Sequence, residues 1–345
     1  MTARDAFGIG ACAVVVVAAI LGGAFFPGPR IVVGLLLVLV LGCAAVLSWD
    51  RLQIEEGLVV SWIVWGVVSA AVSGAAPLAA RETITVWIVT GALWFVARRL
   101  TARASRAALV TLTAGAAIVA FGVLCEALGM GGIRVGGLLE NPNVTASLLV
   151  VSLPMLGAIG GRREWLLVGA VVIALGLVLT GSRAGLLALL ASAALFLPRG
   201  RPRFIGLFVG GLAVAVVLMW RFASQPDVLA WFRPAIWAAV LRLWAAHPLL
   251  GVGPGGLVNA AGVERLLHAD HIGQRQFLIS YTESSPLALL VQTGLVGVLI
   301  IVVAAYIWWR KARPRRPMSS PFAAALAAMA VMGAFHDLLT VDIVL

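Results

Sequence analysis

Three charged side chains stand where solubility alone does not account for them: Arg183 in TGSRAG, Arg233 in WFRPAIW and Glu283 in YTESSP. Arg183 lies between two strongly apolar segments, with no acidic residue within fifteen positions on either side. A guanidinium in such a setting is costly and by default marks a functional site. Its planar fork matches phosphate oxygens two at a time; the alternative use is an arginine that snorkels to an interface. Arg233 precedes Pro234, which fits the first position of a helix. Its charge would add to the partly positive helix N-terminus, a natural place for an anion; a lipid headgroup contact is the alternative. Glu283 stands just ahead of an apolar run that begins near Ser285. A half-buried carboxylate there suits a general base, and it equally suits the dipole of the helix that follows.

Weaker candidates surround these three. Asn141-Pro142-Asn143 has the form of a helix start, an Asn cap with proline in the first turn. Glu140 beside it and Arg134 upstream could line a polar site on the same face. His247 ends the helical pattern that starts at Pro234, and Ser284 follows Glu283. Glu140, Asn141, Asn143, His247 and Ser284 are the candidates for an acceptor or glycan site. His268 and His271 in HADH have metal-like spacing, but two histidines and one aspartate in a loop make no metal site by themselves. No metal and no cofactor are expected.

These residues must be positioned by a membrane. The chain of 345 residues is 62% hydrophobic and 11% charged, with a mean hydropathy of +1.07. Ordinary soluble domains are nearer half apolar and about a quarter charged, so the bilayer is the solvent. Eleven apolar stretches are candidate spans: 7–26, 31–48, 58–79, 83–97, 107–128, 143–160, 165–180, 184–198, 204–220, 285–309 and 321–341. The expected fold is all-α, a polytopic helical bundle of about eleven spans. The segments 165–180 and 184–198 flank GSRA and read either as two tilted spans or as one re-entrant pair.

The net charge of +11 would point to nucleic acid in a soluble protein, but here arginines cluster in short loops between spans. Arg98, Arg99, Arg103 and Arg106, then Arg162 and Arg163, then Arg199, Arg201 and Arg203, and last Arg310 to Arg316 all follow even-numbered spans. One orientation holds every cluster in the cytoplasm, with a cytoplasmic N-terminus; only the acidic loop Trp49–Gly57 sits awkwardly there. GLLENPN, GSRA and a loop of about 64 residues from Arg221 to Ser284 then face outward. Within that loop Ile236, Val240, Leu243 and Trp244 share one helical face, as in an amphipathic helix at the outer interface. The organisation is therefore spans 1–134, spans 135–220 with the NPN and GSRAG motifs, the outer loop 221–284, and the C-terminal spans 285–345. Cys12, Cys43 and Cys125 lie in apolar runs and read as small buried hydrophobes. The first run, 7–26, is followed by PGPR and reads as a retained span.

The stretches NPNVTASLLVVSLP, LTGSRAGLLAL, RPAIWAAVLRLWAAHPLLGVGPGG and SPLALLVQTGLVGVL, in that order, resemble the O-antigen ligase and polymerase superfamily of bacterial membrane glycan transferases. The resemblance covers roughly residues 135 to 340; the earlier spans match only in being hydrophobic. It implies transfer of a glycan from a polyprenyl-diphosphate carrier to a lipid, protein or glycan acceptor on the outer face of the inner membrane, in cell-surface polysaccharide (lipopolysaccharide) biosynthesis. It implies that Arg183 and Arg233 bind the diphosphate and that a base precedes the span starting near Ser285. Many relatives carry His followed by Asn there; this chain has Glu283 and Ser284, and a carboxylate can also deprotonate a hydroxyl. The implied partners are the lipid-linked donor, the acceptor and membrane lipids, with no nucleic acid. A flippase for lipid-linked glycans is the alternative, although Glu126 and Asp337 both lie near span ends rather than at mid-membrane.

Overall fold

A computed structural model describes residues 3–20, 53–130, 134–159, 163–196, 200–224, 233–257, 260, 266–270, 273–277, 282–312 and 321–335. In chain order the helices are α1 (Ala3–Ile20), α2 (Ile54–Ser73), α3 (Pro77–Ala97), α4 (Ala102–Met130), α5 (Pro142–Ile159), α6 (Arg163–Leu179), α7 (Arg183–Phe196), α8 (Arg201–Ser224), α9 (Arg233–Ala246), α10 (Ser285–Ala312) and α11 (Pro321–Phe335). The long loop adds one antiparallel hairpin, β1 (Leu266–Asp270) with β2 (Gly273–Phe277), in which His268 stands opposite Arg275. Among the described residues the fold is thus helical, as expected, but for this hairpin, which the sequence reading missed.

Ile54–Ser73, Ala102–Gly129, Pro142–Ile159 and Ser285–Lys311 are long and apolar enough to cross a membrane. Glu164–Leu179, Arg183–Leu195, Phe204–Val217 and Pro321–Phe335 are shorter apolar helices. At 1.5 Å per residue α7 is about 21 Å long, short of a hydrocarbon core of about 30 Å. The expected span 31–48 lies outside the described residues. Several boundaries moved: α2 ends at Ser73 rather than 79, because Gly74 adopts a left-handed cap (φ 67°) whose N–H returns to Ala70 O. α3 begins at Pro77, six residues earlier than expected.

By contacts the chain divides into two units: Met1–Trp49, Ala92–Pro226 and Arg316–Met332 form the first, and Asp50–Gly91, Asp227–Arg315 and Gly333–Leu345 the second. In the first, α4 is the central helix, packed on α1, α5 and α6. Its core is Ala116, Val119, Ala120, Val123, Leu149, Ile173 and Leu177, small and branched side chains that let helices approach closely. Asp5, buried, accepts the Thr101 N–H at 3.1 Å, so the start of α1 and the arginine-rich turn before α4 share one end.

In the second unit α2 packs along α10, and α9 also packs on α10. Glu55, fully buried, accepts a 2.7 Å ion pair from Lys311 at the last turn of α10. This pairing accounts for the acidic loop that sat awkwardly on the arginine-rich side, because its carboxylate meets the chain's single lysine there. The apolar face of α9 is not left for a bilayer surface. Val240 is buried with Val252, Leu257 and Val291, and Ile236, Leu243, Trp244 and Leu287 pack around them.

Candidate functional site

The second unit builds its site from a broken helix. Gly294 interrupts α10 with φ 64° and ψ −171°, values outside any helix. The break frees the backbone groups around it, and each free group in a membrane costs several kcal/mol unless satisfied by protein or lined by water. Here protein satisfies them. The Leu295 N–H, whose helical acceptor would be Val291 O, donates instead to Pro248 O at 2.9 Å; Val291 O accepts the Val252 N–H at 2.8 Å. Ser69 donates to Leu250 O at 2.6 Å and to Gln292 O at 3.1 Å, and Trp65 Nε1 donates to Thr293 O at 2.9 Å. The HPLLGVGPGG segment is therefore a plug for the break. Gly251 shows why glycine is required: its φ is 73°, and a Cβ would stand 2.5 Å from Val291 O. Sequence reasoning missed Gly294 as the break and Ser69 and Trp65 as donors to the carbonyls around it; a lone glycine inside the apolar run VQTGLVG was the available signal.

α9, held by this plug at its C-terminal end, carries Arg233 in its first turn. Arg233 Nη2 lies 3.0 Å from Glu283 Oε2, with side-chain exposures of 23% and 19%. One turn on, the Trp237 Nε1–H donates to Thr282 O at 3.1 Å. Residues four apart share a helix face, so two side chains of α9 grip one turn, 282–284. That turn opens α10: Ser284 O accepts the Ala288 N–H at 2.8 Å, and Thr282 Oγ1 bonds Ser284 at both its N–H (3.3 Å) and its carbonyl (2.7 Å). Glu283 is left-handed there (φ 53°), a conformation costing a non-glycine residue about 1–2 kcal/mol. Such strain persists only where surrounding structure enforces it, and it gathers at functional sites. Two of the three leading candidates, Arg233 and Glu283, are thus brought together, with buried Ser284 beside them. The carboxylate faces a guanidinium rather than apolar surroundings. Arg242, on the opposite face of α9, is exposed.

His247 lies at the other end of α9, exposed, on the rim of a cavity of about 220 Å³ lined by Ser73, Gly74, Ala75, His247, Val252, Gly256 and Ala260.

The first unit gathers the other motifs. Asn141 caps α5: its Oδ1 accepts the N–H groups of Asn143 (2.9 Å) and Val144 (3.4 Å), and its carbonyl accepts the Thr145 N–H. Ser182 caps α7, accepting the Gly185 N–H at 3.2 Å, and donates to Asn143 Oδ1 at 2.8 Å. The NPN and GSR motifs are therefore one hydrogen-bonded cluster. Arg183, half-buried, opens α7 immediately beyond that cap. Arg134 (φ 75°) and Glu140 (φ 58°) are both exposed and left-handed, and the Arg134 N–H donates to Leu179 O at 2.9 Å. Glu126 Oε2 accepts the Gly137 N–H at 2.6 Å, which ties the preceding loop to α4. Among the described residues no three His, Cys, Asp or Glu side chains are grouped as a metal would need. His268 lies in β1, and His271 is outside the described residues.

Fold and site together define a polytopic helical membrane protein with a cation–carboxylate pair at the mouth of a broken helix. Residues 168–302 match the family model described as O-Antigen ligase, which takes in both the GSRAG cluster and the α9–α10 site. This match supports the O-antigen ligase and polymerase superfamily read from the motifs, and with it a glycan-ligating or glycan-polymerising function at a membrane. No curated protein matches the chain.

Proposed function

We propose that the protein is a membrane glycosyltransferase that moves a glycan from a polyprenyl-diphosphate carrier to an acceptor hydroxyl on the outer face of the inner membrane. The observation that carries the reading is the Arg233–Glu283 pair on a strained turn, inside the segment that matches the family. Glu283 accepts the proton of the acceptor hydroxyl. The oxygen attacks the anomeric carbon; a carbon–oxygen bond forms as the bond from that carbon to the phosphate oxygen breaks, with inversion. The electron pair leaves on the diphosphate, and the proton later passes from Glu283 to water. Arg233 neutralises the leaving charge by paired hydrogen bonds to phosphate oxygens; a diphosphate-binding role for Arg183 is what the family resemblance implies, and its own variant tests it.

The ion pair adds a step. With no donor bound, Arg233 and Glu283 satisfy each other. An arriving diphosphate, carrying more charge, draws the guanidinium away and leaves the carboxylate to take a hydroxyl proton. Donor binding would thereby switch the base on. The residues need no metal for this chemistry where guanidinium charge supplies the electrostatic role.

The test is release of free polyprenyl diphosphate from a polyprenyl-diphosphate glycan by protein in liposomes, with candidate acceptors supplied. Wild type runs beside Arg183→Ala, Arg233→Ala and Glu283→Gln. Acceptor-dependent release that is lost in these folded variants supports the reading, and full release by both arginine variants sinks it. The break at Gly294 favours a second reading, a flippase, since broken helices mark many transport sites. Leaflet exchange of intact lipid without any release would select it.

A further inference from the structure

We propose that the cavity at the C-terminal end of α9 is a subsite for one neutral sugar ring of the glycan; the inference rests on the glycan reading above. His247 lies 14 residues beyond Arg233, about 21 Å along the helix, so this is a place separate from the ion pair. Its end of the second unit is settled by contacts. Glu55 at the start of α2 meets Lys311 at the end of α10, whereas Ser69 near the end of α2 meets Gln292. The two helices are antiparallel, and Ser73 and the cavity lie toward the end where Glu283 opens α10.

The lining fits a sugar better than an anion or an acyl chain. About 220 Å³ corresponds to roughly seven waters at about 30 Å³ each, room for one ring rather than for a chain. Among the described residues no Arg, Lys, Asp or Glu lines it. Val252 and Gly256, buried, and Ala260, half-buried, give the lining small apolar groups, the kind of surface that the C–H face of a pyranose covers. The rim is polar. The His247 imidazole can both donate and accept, and Ser73 Oγ, which donates to Ser69 O at 2.7 Å, keeps lone pairs for an incoming hydroxyl. The glycine plug fixes the backbone of this lining: the Val252 N–H donates to Val291 O, and the Gly256 N–H donates to Gly253 O at 2.9 Å. The sugar belongs to the glycan that arrives on the polyprenyl-diphosphate carrier, so lipids with and without that glycan report on it.

The experiment uses full-length protein in nanodiscs and two lipids: the polyprenyl-diphosphate glycan extracted from the source cells, and bare polyprenyl diphosphate. Wild type should bind the glycan-bearing lipid about tenfold more tightly, the worth of one to two hydrogen bonds. Ala75→Leu, which fills the cavity from its rim, should erase that preference and leave bare-lipid binding unchanged. His247→Ala should weaken it severalfold, with partial rescue by His247→Gln. As a check independent of Ala75→Leu folding, Ala75→Cys in a background lacking Cys12, Cys43 and Cys125 should be alkylated more slowly with the glycan-bearing lipid than with the bare one. Equal binding of the two lipids by wild type, or a preference that survives Ala75→Leu with no protection of Cys at 75, overturns the subsite. Polyprenyl diphosphate release measured in parallel separates the two proposals. Release insensitive to these variants condemns the subsite alone, whereas glycan preference without release condemns the transferase reading.

Discussion

Replacing Glu283 by Gln and by Gly separates what this residue does for the fold from what it does for the reaction. The ion pair with Arg233 is part-buried, at 23% and 19% side-chain exposure. Its loss therefore falls between that of an exposed pair, about 0–1 kcal/mol, and that of a buried one, about 3–5 kcal/mol. About 1–2 kcal/mol is the expected cost of Glu283→Gln, which keeps the left-handed backbone and loses the charge. Glu283→Gly loses the same pair but sheds a strain of about 1–2 kcal/mol, less up to about 1 kcal/mol for the greater freedom of glycine in the unfolded chain. The Gly variant should therefore melt close to wild type and above the Gln variant. A general base is worth about 10²–10⁴ in rate, or about 2.7–5.4 kcal/mol of barrier. Both variants should lose at least about a hundredfold in kcat with little change in KM for the donor. Thermal unfolding in detergent read beside polyprenyl diphosphate release checks the order. A Gly variant that keeps kcat within about tenfold of wild type, or activity lost only in proportion to folded protein, refutes the assignment.

Gly251→Ala should sharply lower the yield of folded protein, by about 3 kcal/mol or more. It combines a positive φ of 73° with a Cβ placed 2.5 Å from Val291 O, and displacing the plug leaves several backbone groups of α10 unpaired; monodispersity by size-exclusion chromatography reads it. Lys311→Met and Glu55→Gln should differ. The first strips the lysine from a fully buried carboxylate, whereas the second leaves a lysine whose side chain is 52% exposed. The lysine variant should have the lower melting temperature by the equivalent of about 1–3 kcal/mol, and equal melting would mean that the pair is incidental.

Much of the site could be read without coordinates, for physical reasons that differ by residue. Arg183 and Glu283 were conspicuous because charge beside apolar spans is expensive. Asn141 and Ser182 are caps, and capping is local, so NPN and the S of GSR could be placed at helix starts from neighbours alone. The hydrogen bond from Ser182 to Asn143, 39 residues apart, could not. The amphipathic face of α9 was legible, but its partner was not: periodicity marks a face for burial without saying whether lipid or protein covers it, and α10 with the glycine plug covers it. The β1–β2 hairpin was missed because LLHAD and GQRQF lack clean alternation between apolar and polar residues.

Composition alone determined that the chain lives in a membrane, because 62% apolar residues leave no soluble alternative, and the order of its motifs determined its family resemblance. Only the tertiary structure decided that Arg233 meets Glu283, that Lys311 answers Glu55, and that HPLLGVGPGG fills the break at Gly294. Each of these joins residues 39 to 256 positions apart along the chain through complementary charge or exchanged backbone hydrogen bonds. Such pairings depend on how packed helices bring distant turns to the same depth, which no local pattern encodes.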